Sequence, residues 1–190
     1  MKKILTYKQL PKVVDGYREQ GLEIVLTQGT FDMIHIGHGR YLEEAKEHGD
    51  ILFVGVDSDK KVQGRKGPER PVVPEDERME MLTYFTSVDH VALKPLDAPK
   101  WSLIKLIRPD ILIATAETYN KKQLKELKEY CGKVVVLEPR ATTSTSAKLR
   151  RIQIKMTEQM TKMMVDKMSS TFEEVLCELK AKPAKKKKVS

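Results

Sequence analysis

The chain has 190 residues, 40% of them hydrophobic and 33% charged, with a formal net charge of +8. That length suits one well-buried domain with an appendage rather than two ordinary domains, and the composition excludes a fibre or a wholly disordered chain. Six lysines and no acid lie between Lys180 and Lys188, which leaves 29 basic and 27 acidic groups, a net of +2, on residues 1–179; so even a charge argues against a nucleic-acid-binding surface spread over the body of the protein.

Short apolar runs alternate with longer amphipathic ones. A helix is predicted near residues 7–20, closed by Gly21, with a first strand over Leu22–Thr27. A second helix near 38–48 ends at Gly49 and leads into a strand at Ile51–Val56. Pro74 opens a helix over 75–86, with Glu75, Asp76 and Glu77 at the positive end of its dipole. Strands at His90–Leu93 and Ile111–Ala114 flank a helix near 99–107, which Pro109 closes. A helix near 121–130, capped by Gly132, precedes a strand at Val134–Leu137. Continuous Val/Ile/Leu runs suit parallel strands covered on both faces. The alternation predicts an α/β, Rossmann-like domain over residues 1–150 with a five-stranded parallel sheet, and ligands at the carboxyl ends of its strands.

Beyond residue 150 the pattern changes. Met156, Met160, Met163, Met164, Met168, Phe172, Val175, Leu176 and Leu179 step by three and four, predicting a C-terminal amphipathic helical extension over 151–179. Such a stripe is expected to pack on the domain or on a second subunit, so a homodimer is expected. Residues 180–190 read as a disordered, solvated lysine tail. No run approaches the roughly 18–20 apolar residues that span a bilayer, so no membrane partner is expected. The basic start lacks the apolar core and cleavage site of a signal peptide. Cys131 and Cys177, far apart, read as reduced thiols, and the expected compartment is the cytoplasm.

The strongest local signal is Gly29-Thr30-Phe31-Asp32-Met33-Ile34-His35-Ile36-Gly37-His38, directly after the first strand and opening a helix. Gly29 is expected to let the chain turn off the strand, and Gly37 to let backbone approach a ligand. The helix start then offers N–H groups and a positive dipole end to a phosphate. Two histidines three apart there can both donate to a phosphoryl group under attack. A lone histidine beside a strand is more often a core or capping residue, and His48 and His90 are read that way. A metal-binding pair of the metalloprotease kind needs i, i+4 histidines with an intervening Glu, and neither is present, so no protein-held metal is expected.

This decapeptide resembles the signature of the nucleotidyltransferase superfamily that includes glycerol-3-phosphate cytidylyltransferase and the adenylyltransferase domain of ADP-heptose synthase. Three other segments resemble it in order: Ile24–Gln28 leading into the motif; Arg65–Pro74, running into Glu77-Arg78, like the heptose-type Lys-Gly-x-x-Arg-Pro-Val segment; and Arg140–Arg150, like a late Ser/Thr-rich loop opening a helix. The resemblance covers roughly residues 3–150 and is closest to the heptose-phosphate branch.

The resemblance implies roles. His35 and His38 would contact the triphosphate, with Lys66 as the loop lysine that meets phosphates. Thr30, Phe31, Asp32, Gly37, Arg78, Arg140, Thr145 and Ser146 would line the nucleotide site, and Thr115 and Glu117 are acceptor-pocket candidates. Read without a family, Arg65, Lys66, Arg70 and Arg78 also suit a solvated basic face, and Ser144–Ser146 a plain N-cap cluster. Two departures stand out. Ala147 replaces a usual Thr, and Thr115-Ala116-Glu117 stands where the heptose enzymes carry Gly-Gly-Asp. The implied reaction is transfer of AMP from ATP, with CTP as the alternative donor, to a phosphorylated sugar or polyol, with Mg²⁺ accompanying the nucleotide and pyrophosphate released. A nucleotide-binding regulator without activity is the non-enzymatic alternative. Lys167-Met168-Ser169-Ser170 echoes an aminoacyl-tRNA synthetase signature, but sits in the Met-rich stretch and is read as chance.

Overall fold

The apolar runs fold as one parallel sheet in a computed structural model that describes residues 3–115, 118–138 and 145–181. Six strands make it up: β1 (Ile4–Leu5), β2 (Ile24–Gly29), β3 (Ile51–Asp57), β4 (His90–Lys94), β5 (Ile111–Thr115) and β6 (Lys133–Leu137). Their spatial order is β1-β4-β3-β2-β5-β6, and every pairing is parallel. The expected count of five is corrected to six. The extra strand, β1, pairs Ile4 with Val91 and is two residues long, too short to give a periodic signal.

Alternation across the sheet divides each apolar run between two cores. Val25, Leu52, Val54, Val56, Val91 and Ile113 face one cluster, while Ile24, Leu26, Phe53, Ala92 and Leu112 face the other. The first cluster is closed by Leu42 and Ala45 of α2 (Ile36–Lys46) and by Met79 and Leu82 of α4 (Glu75–Thr83). Leu10 and Val14 of α1 (Leu10–Glu19), Leu103, Ile104 and Ile107 of α5 (Ser102–Ile107) and Leu127 of α6 (Lys121–Leu127) close the second. Burying each such aliphatic side chain stabilises the fold by about 1.5–3 kcal/mol.

Helix α3 (Asp59–Lys66) is not signalled by periodicity, because its sequence DKKVQGRK offers one apolar residue, Val62, which is buried. Its start is set instead by Ser58, whose hydroxyl accepts from Lys61 N at 3.4 Å. Of the three glycines expected to cap helices, Gly21 takes a left-handed φ of +72°. Gly49 and Gly132 do not; a Cβ there would stand 2.7 Å from Val25 and 2.8 Å from the Asp110 carbonyl, so close packing selects glycine at both.

The chain divides into two compact units, residues 1–145 and 146–190. Helix α7 (Thr145–Ala181) starts at the former and supplies the second unit. Every position of the expected stripe lies on it, and the helix continues through the first two residues of the segment read as a disordered tail. Residues 182–190 lie outside the described residues. Among the described residues no helix is long and apolar enough to cross a membrane.

Candidate functional site

Strand β2 is hydrogen-bonded to β3 on one side and to β5 on the other, so the sheet reverses its winding there. Ligands of open α/β sheets gather at such a crevice, outside the carboxyl ends of the strands. A cleft of about 880 Å³ occupies that place. Gly29, Asp57, Lys94 and Thr115, the last residues of β2, β3, β4 and β5, all line it.

Two histidines close the cleft at the head of α2. His35 is the N-cap residue, and its Nδ1 accepts from Gly37 N at 3.1 Å. His38 returns the arrangement: its Nδ1 accepts from His35 N at 3.2 Å. The ring centroids lie 4.1 Å apart. With both Nδ1 atoms used as acceptors, each neutral ring carries its proton on Nε2. Burial, then the neighbouring His35, and also Lys66, hold His38 down at about 4 against the pull of Asp32. His38 is therefore a neutral donor at pH 7.

The turn before them differs in detail from the expectation. Gly29 sits at the end of β2, and the left-handed residues of the turn are Phe31 (φ 50°) and Met33 (φ 49°). Non-glycine residues in that region are strained and persist where the surroundings enforce them. A Cβ on Gly29 would stand 3.0 Å from the Phe31 ring, so the glycine makes room for the aromatic wall. Phe31 and Thr30 line the cleft, and the Phe31 ring lies 5.7 Å from that of His38.

Asp32 and Arg78 do not line the cleft; both are buried and hold it together. Asp32 accepts from Val72 N and Val73 N and pairs with Arg70 at 2.8 Å, anchoring the segment after α3. Arg78 donates to the carbonyls of Thr30, Asp57 and Val73 and pairs with Asp59. Its guanidinium is occupied by the protein, which gives Arg78 a positioning role. Lys66 ends α3 and lines the cleft. Burial lowers its ammonium, and the nearby Arg65 and Arg70 add to this against the pull of Asp32 and Asp57.

Around the end of β5 the cleft is lined by hydroxyl and amide side chains. Thr115 shares a 2.7 Å hydrogen bond with Thr118, Gln28 donates to the Tyr119 hydroxyl at 3.4 Å, and Tyr41 meets Thr27 at 2.6 Å. Burial pushes the Tyr119 hydroxyl strongly up, so it stays protonated. Trp101, itself left-handed, forms part of the rim under Lys100, whose Nζ lies 3.9 Å from the ring centroid. Glu117 and Arg140 lie outside the described residues, as do the side chains of Thr145 and Ser146. His90 is a core residue bonded to the Tyr17 hydroxyl at 2.8 Å.

Sequence reasoning did not single out Asp57, Lys61, Lys94, Trp101 or Tyr119. Two of these carried a signal. Asp57 and Lys94 are the first polar residues after apolar runs, where a parallel strand delivers its last side chain to the ligand.

Comparison with known proteins places this architecture. The cytidylyltransferase-like family model matches residues 26–188. The bifunctional protein HldE of Methylobacillus flagellatus is 39% identical over 153 residues, covering 79% of this chain and 31% of that protein. The protein of the same name from Hahella chejuensis is 38% identical over 157 residues, covering 80% and 32%. This chain thus spans about a third of the length of these relatives. Among solved structures, a lipopolysaccharide core biosynthesis protein from Thermoplasma volcanium matches with a TM-score of 0.56 at 26% identity, covering 64% of this chain and 100% of that one. A pantoate–β-alanine ligase from Francisella tularensis shares the fold alone, with a TM-score of 0.55 at 15% identity over 77% of this chain and 69% of that one. A family match that takes in most of the chain, including the β2–α2 turn and most of the cleft wall, makes this protein a member of the cytidylyltransferase-like family.

Proposed function

We propose that the chain is a nucleotidyltransferase that moves AMP from ATP to a phosphorylated sugar or polyol and releases pyrophosphate. The observation that carries the reading is the histidine pair at the head of α2, set in a cationic cleft at the switch point of the sheet. The α-phosphorus of the nucleotide would lie beside His35 and His38, with its outer phosphates toward the head of α2 and Lys66. An oxygen of the acceptor phosphate attacks; the bond from phosphorus to the pyrophosphate oxygen breaks, and pyrophosphate leaves as an anion. The attacking oxygen is already ionised, so no base is required. The Nε2–H groups of the two histidines, the Lys66 ammonium and the helix dipole meet charge as it develops. Each good donor contributes about 3–4 kcal/mol in sites of this kind.

Magnesium enters as part of the nucleotide substrate. Mg²⁺ is commonly held by phosphates with one or two carboxylates. Among the described residues no group of three metal-ligating side chains exists, and the cleft carboxylate, Asp57, is already paired with cations. Preference for ATP is supported by the Lys66–Pro74 segment and by relatives of the HldE kind; the family's name supports CTP as the second donor. Pyrophosphate release measured with ATP and CTP against sugar and polyol phosphates tests both. Turnover with ATP and such an acceptor is expected; release with CTP alone overturns the donor assignment, and release with no acceptor overturns the reading.

A further inference from the structure

Among its lining residues the cleft holds five cations, Lys61, Arg65, Lys66, Lys94 and Lys100, and one carboxylate, Asp57. One phosphate monoester carries about −1.5 to −2 near neutral pH, so the cleft has cations to spare for an acceptor phosphate beside a nucleotide that brings its own Mg²⁺. The cations are also unevenly placed. Asp57 and Lys94 are register partners at the last positions of β3 and β4. Lys94 Nζ stands 3.0 Å from Asp57 Oδ1, Arg65 Nη2 is 2.9 Å from Oδ2, and Lys61 Nζ is 3.8 Å from Oδ1. Three cations thus converge on one buried carboxylate, and the cluster keeps a net positive charge.

Lys94 is the cation built most firmly into the wall. Its side chain is 18% exposed, against 33% for Lys61 and 55% for Arg65. Its stem lies across β3 at Gly55, where an added Cβ would stand 3.0 Å from Lys94 Cδ and 2.6 Å from Leu103. Any side chain there would displace the lysine. Burial favours loss of its proton, as do Lys61 and Arg65, while Asp57 works to retain it. Asp57 itself, which burial alone would raise, is brought below the usual carboxylate value by Lys94, Arg65 and Lys61. The carboxylate therefore fixes the position of Lys94 and favours its charged form.

We propose that the Asp57 cluster is the seat of the acceptor's phosphate, with Lys94 as the residue that selects a phosphorylated acceptor and Asp57 as its positioning residue. The inference rests on the nucleotidyl-transfer reading above. In-line displacement sets the attacking and leaving groups on opposite sides of the α-phosphorus, which calls for two anion seats. The head of α2, which follows β2, provides one. The end of β4 is two strands from β2, about 10 Å along the sheet at the usual strand spacing, and provides the other. A buried ammonium set among further cations favours a dianion and gains nothing from a neutral hydroxyl, so an unphosphorylated acceptor is excluded.

Calorimetric titration of inorganic phosphate into the full chain, saturated with Mg²⁺ and α,β-methylene-ATP, tests this. The wild type is expected to bind one phosphate beside the analogue. Lys94→Gln should weaken phosphate by about tenfold or more, the effect of removing one charged donor, and leave the affinity for the analogue within about twofold. The double variant Lys94→Gln/Asp57→Asn restores the cluster's net charge without a stranded carboxylate, and it is expected to fold and still bind phosphate weakly. Recovery of phosphate binding in the double variant would show that net charge, not Lys94, makes the seat. Equal weakening of the analogue would assign Lys94 to the triphosphate, and absence of phosphate binding by the wild type beside the analogue would remove the seat altogether. Failure of every acceptor to release pyrophosphate overturns the transfer reading separately and leaves this titration intact.

Discussion

His38 accepts the backbone N–H of His35 through Nδ1 at 3.2 Å, so one ring of the pair caps the residue that carries the other. The helix start and the donor site are therefore one structure. On the proposed reaction, His38→Ala removes a transition-state donor together with part of the N-terminal cap of α2. Its expected effect is a fall in kcat of about 10²-fold or more, with a stability loss near 1 kcal/mol. Steady-state kinetics beside a thermal melt separates the two. A variant that melts lower but turns over normally would reduce the histidine to a cap.

The same residue gives a pH signature. Its folded value of about 4 lies below the ordinary 6.5. Between those values the unfolded chain holds a proton at this position that the folded chain does not. The contribution to stability is complete above pH 6.5 and is lost as pH falls toward 4. Wild type should therefore lose more Tm between pH 7 and pH 5 than His38→Gln, and the imidazole resonances of His38 should titrate near 4. Titration near 6.5 would contradict the buried, neutral ring.

Asp32 anchors the segment after α3 from beneath the cleft. Asp32→Ala strands the Arg70 guanidinium, which is 15% exposed, and two backbone N–H groups. A loss of about 3–5 kcal/mol is expected, the usual cost of breaking a buried pair from one side. Residues 67–74 should become the first site of proteolysis. An unchanged denaturant midpoint would mean that the segment holds itself.

Lys66 stands at the end of the anchored helix, beside Arg65 and Arg70, and an arriving phosphate relieves their mutual repulsion. Lys66→Ala should therefore raise KM for ATP as well as lower kcat, whereas His38→Ala should act mainly on kcat. Parallel titration of the two variants with ATP checks the split. Wild-type values of both parameters in Lys66→Ala would leave the lysine as a rim charge.

Much of this arrangement was legible in the order of residues, and the gaps have physical reasons. Apolar runs located five strands within one or two residues at each end. Four of the five run one or two residues past the predicted carboxyl end into polar or glycine residues, so Asp57 and Lys94 each fall one residue beyond the predicted strand. Those residues still pair in register, because backbone hydrogen bonds continue the ladder whatever the side chain. Helix α3 escaped notice because a single buried valine gives no periodicity. His35, His38, Lys66, Thr30, Phe31, Gly37 and Thr115, all singled out in the sequence, do meet in one cleft. Asp32 and Arg78, also singled out in the sequence, are buried and held by protein partners. Burial by segments distant in sequence decides that, and no local pattern encodes it.

Arg78 has a consequence of its own. One guanidinium grips the carbonyl of Thr30, at the end of β2, and that of Asp57, at the end of β3, while also holding Val73 and Asp59. A lysine, with a single charged nitrogen, could not reach in all these directions at once. The carboxyl ends of two neighbouring strands, β2 and β3, are thereby tied together by one side chain. Any ligand that displaced Thr30 would load Asp57 as well, and coupling between ligands at these two strand ends, measured from either side, must have the same magnitude from the other.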